Sequence, residues 1–404
     1  MRIRKSAKQI KSIVNGLEHK DGSDYYSFGF ELFGPFLYGF TMWLHEKIRK
    51  QGIEKILFFA RDGYMMQKAY DLLLDSVETK YVYFSRKSLR QALLCHAKDY
   101  KESLKYYSWK RFVSVAEILD FYGFEKGEFE RIAADHLLDL SKEYSYEELP
   151  ASEELARVYN ELKDEIIKRS TIQSELLIKY IDQIGLNEKC AIVDIGWHGN
   201  MQYYLEEFLY INGLSSNLKG YYVGIDPVRS LHGELYGYLY SHDEQSLRKS
   251  TLCFFGIYEK LFQSLEGSTK GYTEVNGIIE SMKAEYEYSN DPDMVEAIKE
   301  MQSGAIDCFK LLCKNENMCI GYKEYAMPLL LYGEKPSLQD ALLFKNMYNT
   351  DGIKTYFLPQ KPSTQYKLKE FKRDLSNSSW KTGFLKAFFK VPFPYDLIYK
   401  VIRK

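Results

Sequence analysis

Five short apolar runs set the tightest limit on how this chain can fold. They are KILFFA ending at Ala60, YVYF ending at Phe84, CAIVDI ending at Ile195, GYYVGI ending at Ile225 and LYGYLY ending at Tyr240. The first four are each followed by turn or polar residues, and three of them then by a helical period. That βα alternation is the signature of parallel strands whose crossovers cover both faces of a sheet. It predicts an α/β protein with a Rossmann-like parallel-sheet core.

The 404 residues allow more than one compact unit, and the pattern divides them. The α/β core is expected over 1–273, interrupted by a helical insertion over about 91–188. In that insertion Ser114 and Glu117 have capping-box spacing, and a charged amphipathic stretch runs from Ser152 to Ile184. From about Glu274 the 3.6 period returns, predicting a helical region over 274–366. A tail over 367–404 follows, with ten Lys or Arg against three acids, interleaved with Phe371, Trp380, Phe384, Phe388, Phe389, Phe393 and Tyr395. Such a tail suits either the headgroup zone of an anionic membrane or a docking place on its own domain.

Charge and cysteine content exclude some functions. Lys plus Arg number 55 against 56 acids, so the chain lacks the basic footprint of a nucleic-acid partner. The six cysteines (Cys95, Cys190, Cys253, Cys308, Cys313, Cys319) form no C-x-x-C pair, and no secretory h-region is seen. Reduced thiols in a cytoplasmic protein are expected, with peripheral contact at the inner face of the membrane through the tail. The most apolar segment, FGFELFGPFLYGFTMWL, is broken by Glu31, Gly34 and Pro35 and is not expected to span a bilayer.

Ligands of open parallel sheets sit at the carboxyl ends of the strands, and three of those ends are unusually polar. In ILFFARDGY, Arg61 offers a fork for phosphate oxygens, and Gly63 lets a helix N-terminus approach a ligand. In VYFSRKSLR, Ser85, Arg86, Lys87 and Arg90 form a cationic cluster suited to a polyphosphate. In AIVDIGWHGN, Gly196, Trp197 and Gly199 bracket a tight turn before a helix, with Asn200 at a position able to cap it. Asp194 at that strand end could hold ribose hydroxyls or a hydrated metal, and Asp62 and His198 are alternative bases. Downstream, Glu259 and Gln263 are expected on one helix face and, with Ser268 and Thr269 in the turn after it, form a second-rank acceptor site.

ARDG, SRK and VDIGWHGN resemble, in that order, the elements of phosphoribosyltransferases that use phosphoribosyl pyrophosphate, although Ile195 stands where a second acid is usual and no Thr-Gly-x-Thr loop is present. The chain also resembles bacterial surface-polysaccharide cluster proteins often labelled as predicted hydrolases of the haloacid dehalogenase type. The shared segments are ARDGY, VDIGWHG and the run of Gly267, Ser268 and Thr269 with Gly271 and Tyr272. The hydrolase label does not carry over, because the one D-x-D, at Asp291 and Asp293, lies in a polar SNDPD turn. Together the resemblances imply a phosphoribosyltransferase-like glycosyltransferase. Phosphoribosyl pyrophosphate would be the donor, Mg2+ the cofactor with Asp194 among its ligands, and a glycan, lipid-linked or free, the acceptor. A separate phosphatase of the haloacid dehalogenase type would remove the 5-phosphate.

Two alternatives stand beside this expectation. VDIGWHGN and GYYVGIDP also resemble the first motifs of Rossmann-like methyltransferases using S-adenosylmethionine, but there His198 occupies a glycine position, and ARDG and SRK gain no role. A non-catalytic scaffold for glycan enzymes would fit the surplus of tyrosine and the basic tail.

Overall fold

The computed structural model describes residues 2–18, 21–107, 112–215, 217–315, 320–350 and 354–402. The chain begins with helix α1 (Arg2–Asn15) and, after a short helical lead-in, α2 (Gly34–Lys50). Strands β1 (Lys55–Phe59) and β2 (Glu78–Val82) follow, joined by helix α3 (Gly63–Asp71). Helix α4 (Arg86–Leu93) leads into the insertion, which returns through α5 (Glu153–Ile184) to β3 (Cys190–Trp197). Helix α6 (Asn200–Ile211) then connects to β4 (Lys219–Ile225), and β5 (Glu234–Tyr240) closes the sheet.

All four neighbouring pairs are parallel, in the order β2-β1-β3-β4-β5. The α/β expectation therefore holds, and all five apolar runs contribute to sheet strands, YVYF only through Tyr81 and Val82. Ile56 to Phe59 and Cys190 to Val193 are buried because helices cover both faces, which is why these runs are continuous rather than alternating. The link from β4 to β5 spans only 226–233 and has no helix. It is held at its ends by Asp226 N–H donating to Trp197 O (2.9 Å) and Glu234 N–H donating to Leu218 O (2.8 Å).

The apolar segment around Pro35 is the axis of the largest core, with Phe33, Phe36, Leu37, Phe40 and Leu44 fully buried. Its glycines admit helix α8 (Pro292–Cys313; α7, Phe255–Phe262, precedes it) at close range. A Cβ on Gly29 would lie 2.0 Å from Met301 O, and one on Gly34 would lie 2.5 Å from Cys308 Cβ. No helix among the described residues is long and apolar enough to cross a membrane.

Two local readings are corrected. Residues from Glu274 are not yet helical. Thr269–Val275 (β6) and Ile278–Lys283 (β7) form an antiparallel hairpin, and helix resumes only at Pro292. Asn276 (φ 52°) and Gly277 (φ 79°) occupy the two turn positions, and this dipeptide tolerates the positive φ at both that a twisted hairpin requires. The insertion is not wholly helical either. Phe112–Ser114 pairs with Glu143–Ser145, and Val113 and Tyr144 join a separate core with Leu94, Tyr100, Ile118 and Tyr159. The capping box forms as expected, Glu117 N–H donating to Ser114 Oγ (3.2 Å) and Ser114 N–H to Glu117 Oε2 (2.9 Å).

The C-terminal region is helical, with α9 (Met327–Glu334), α10 (Lys381–Phe389) and α11 (Tyr395–Ile402) among its elements. The tail docks on the body of the protein. Trp380 is fully buried, stacks on Phe254 with ring centroids 4.0 Å apart and donates from Nε1 to Gly333 O at 2.8 Å. The five described cysteines are free thiols, and Cys319 lies outside the described residues.

Candidate functional site

The strand order places its reversal between β1 and β3, since the chain moves outward from β1 to β2 and then returns to the other side of β1. Crevices form at such a switch point, outside the carboxyl ends of the two strands. Asp62 follows β1 and Asp194 lies in the second half of β3, the neighbouring strand, close enough for the charge of Asp194 to be felt at Asp62. The peptide bonds Ala60–Arg61 and Gly196–Trp197, one at each strand end, are both cis.

Burial raises the proton affinity of both acids. For Asp62 the effect is large and is reinforced by the charges of Asp194 and Glu259, with Arg61 and Lys260 opposing it. Asp194 is pushed up to about 7 by burial, against the Ile195 N–H that donates to its Oδ1 at 2.8 Å and the nearby charge of Arg86. Each carboxyl therefore holds its proton more tightly than an exposed one, and the charge of Asp194 opposes ionisation of Asp62.

Cations converge on the pair from three elements. Arg61 is braced within the site, with Nη1 donating to Glu287 Oε2 at 2.5 Å and to Glu266 O at 3.2 Å. Arg86 has no hydrogen-bonded side-chain partner among the described residues and is exposed, with its charge felt at Asp194. The third cation, Lys260 on α7, was not anticipated. It is 1% exposed, its ammonium lies 4.3 Å over the ring of Tyr288 and donates to the Tyr288 hydroxyl, and burial lowers it to about 8. A charged pair, Glu259-Lys260, inside the apolar run FGIYEKLF is the sequence signal that could have found it.

The other expected residues are distributed as follows. Gly63 starts α3 tight against β1, where a Cβ would lie 2.8 Å from the backbone carbon of Phe58. Ser85 caps α4, its Oγ accepting from Ser88 N–H at 2.9 Å and donating to Thr269 O at 2.5 Å, so this hydroxyl serves the loop that holds Arg86. Lys87 pairs with Asp120 at 2.7 Å and borders a cavity of about 470 Å³ shared with Arg169, Lys270 and Lys283. A second hollow, of about 600 Å³ and lined by Glu54, Asn187 and Lys189, lies at the opposite, amino end of the strands.

Gly196 has φ 114°, and a Cβ there would meet Gly224 O at 2.0 Å. Trp197 stacks on Tyr240, its ring 6.3 Å away, and meets Tyr258 edge-on at 5.5 Å. Asn200 is not the cap of α6. Gly199, with φ 68°, takes that place because the turn needs a left-handed residue, and Asn200 is the first helical residue. His198 is exposed, and its Nδ1 lies 3.4 Å from Asp226 O.

Glu259 and Gln263 do not share a helix face. Gln263 is extended (ψ 149°) just past the end of α7, and it is buried with Nε2 lacking a hydrogen-bond partner among the described residues. Glu259 is exposed and acts on Asp62 through its charge. Ser268 and Thr269 belong to the root of the hairpin rather than to a free turn. Ser268 O accepts from Ala284 N–H at 2.8 Å, and Thr269 is buried at the start of β6.

The donor set fits magnesium in the manner that cation favours, with one or two carboxylates and the remaining positions left to substrate phosphates and water. No group of three His, Cys, Asp or Glu side chains among the described residues is gathered to hold a metal. No family model matches the chain, and none of the curated proteins compared with it does either.

Proposed function

We propose that the crevice between β1 and β3 transfers a 5-phosphoribosyl group from phosphoribosyl pyrophosphate to a hydroxyl of a glycan acceptor. The observation that carries this reading is the Asp62–Asp194 pair, two buried acids of raised proton affinity at the switch point, beside Arg86, whose side chain has no hydrogen-bonded partner among the described residues. A sulfonium cofactor would give neither the paired acids nor this guanidinium a task.

In this reaction the bond from ribose C1 to the pyrophosphate oxygen breaks, and its electron pair leaves with pyrophosphate. The acceptor oxygen forms the new bond to C1 and gives its proton to the ionised form of Asp62. Magnesium, when bound, would be held by Asp194 and would neutralise charge on the pyrophosphate. Arg86 engages the same phosphate oxygens, and the negative charge of the pair stabilises the developing oxocarbenium ion. Arg61, tied to Glu287, shapes the crevice. The cavity bordered by Lys87 and Lys270 gives an anionic acceptor room beside the Arg86 loop. The product keeps its 5-phosphate, so a phosphatase acts next.

The test is a thermal shift of the purified protein with phosphoribosyl pyrophosphate and Mg2+, beside S-adenosylmethionine. A ligand present at about a hundred times its Kd adds about 2.7 kcal/mol of stability. A shift with the phosphoribosyl donor, lost in Arg86→Ala, supports ribosyl transfer. A shift with S-adenosylmethionine alone replaces the reading with methyl transfer, and silence from both leaves the scaffold.

A further inference from the structure

The tail divides its side chains between two faces. Trp380, Phe384, Tyr395 and Tyr399 are buried against the protein, and Asp396 is buried too, paired with Lys335 at 3.1 Å. The opposite face is apolar and open, with Phe389 49%, Val391 50%, Phe393 52%, Leu397 58% and Val401 66% exposed. Leu397 and Val401 are one helical turn apart on α11. Phe389 and Phe393 each touch the ring of Tyr395, at 6.2 and 5.4 Å, so the patch is continuous across the α10–α11 turn. Side chains of this size are rarely left contiguous on a surface that meets only water.

Charge selects the occupant. From Leu375 to Ile402 the one acid is the buried Asp396, whereas Lys381, Lys386, Lys390 and Lys400 are all cations. Lys390, at the turn between the helices, is exposed. Helix α1 and helix α10 both pack on α9. On α1, Arg4, Lys5, Lys8 and Lys11 are exposed, and the helix has no acidic residue. The neighbouring helix, whose Phe371 meets Phe389, carries Glu370 and Asp374, each half-buried and paired, with Lys361 and Arg373. An apolar patch whose unpaired rim charges are cations among the described residues matches the boundary between acyl chains and anionic headgroups.

We propose that the exposed face of residues 389–401 is a bilayer-contact surface that seats the protein on an anionic membrane, with Phe389, Phe393, Leu397 and Val401 entering the acyl boundary and Lys386 and Lys390 meeting headgroups. The inference is independent of the chemistry in the crevice, because none of these residues belongs to it.

The experiment is cosedimentation of the full-length protein with vesicles of phosphatidylcholine containing one quarter phosphatidylglycerol, beside vesicles of phosphatidylcholine alone. The wild type is expected to partition onto the anionic vesicles at least tenfold more strongly. F393E/L397E is expected to lose that binding with little change in the circular-dichroism melt, since both side chains are more than half exposed. Lack of wild-type binding, or equal binding by the variant, overturns the proposal. So does concentration-dependent dimerisation in ultracentrifugation that the variant abolishes, because a second copy would then be the occupant.

Discussion

The charge on Asp194 opposes ionisation of Asp62, although one follows β1 and the other belongs to β3. Parallel pairing of Lys55 with Cys190 and of Phe58 with Val193 fixes the two strand ends side by side, and the acids inherit that closeness. Their coupling makes the crevice sensitive to pH.

Asp194→Asn should lower turnover by about 10²- to 10⁴-fold, the usual scale of acid-base assistance, in a pyrophosphate-release assay with a competent acceptor. The fold should persist. Because Asp194 is raised to about 7 in the folded state, the folded protein binds more protons than the unfolded chain above the ordinary carboxylate range. The wild-type stability contribution of this acid is full at low pH and is lost as pH rises from about 4 through about 7. The amide variant should show a flatter dependence of Tm over that window and a higher Tm at pH 8, read by calorimetry.

Arg86→Ala should weaken phosphoribosyl pyrophosphate by about 1.5–3 kcal/mol, the value of a hydrogen bond to a charged group. Among the described residues no group is hydrogen-bonded to this side chain, so Tm without ligand should stay within a degree or so by the small scale of surface changes. Isothermal titration of donor and Mg2+ reads the first quantity. Unchanged affinity would remove Arg86 from the site.

Lys260 is lowered to about 8 by burial. Between that value and the ordinary lysine value of about 10.4, the unfolded chain binds the extra proton, so stability gains from this group as pH rises from 8 toward 10. Lys260→Met should flatten that rise in denaturant melts. A wild-type profile already flat there would show that the ammonium is not desolvated.

Gly29→Ala tests the close packing of the lead-in to α2 on α8. The backbone dihedrals of Gly29 are ordinary for a helix, so the added methyl acts through its approach to Met301 O at 2.0 Å. Overpacking of this kind costs about 1–3 kcal/mol, which urea melts resolve.

The sheet was legible because a strand covered on both faces must be apolar throughout, as ILFF and AIV are, and because Arg61 and Arg86 come soon after β1 and β2 while Asp194 breaks the apolar run within β3. The hairpin after Gly267 was also written in the sequence, in the Asn276-Gly277 pair, but the helical period that begins at Pro292 was extended back over it. Lys260 escaped because burial of a lysine depends on Tyr288, a tertiary partner that no local period announces. Asn200 was given a cap that Gly199 holds, since the choice between neighbouring cap residues turns on the sign of φ. The tail's two candidate destinations could not be separated by composition, because both faces are aromatic and only packing tells Phe384 from Phe393.

The long excursion between β2 and β3 has a consequence for biosynthesis. When Asp62 emerges from the ribosome, its partner acid is still untranslated, behind the insertion and the whole length of α5. Closing so long a loop is a slow event in folding. The pairing of the two acids is therefore a late product of the chain, and a nascent fragment ending anywhere in the insertion carries Asp62 without the charge that raises its proton affinity.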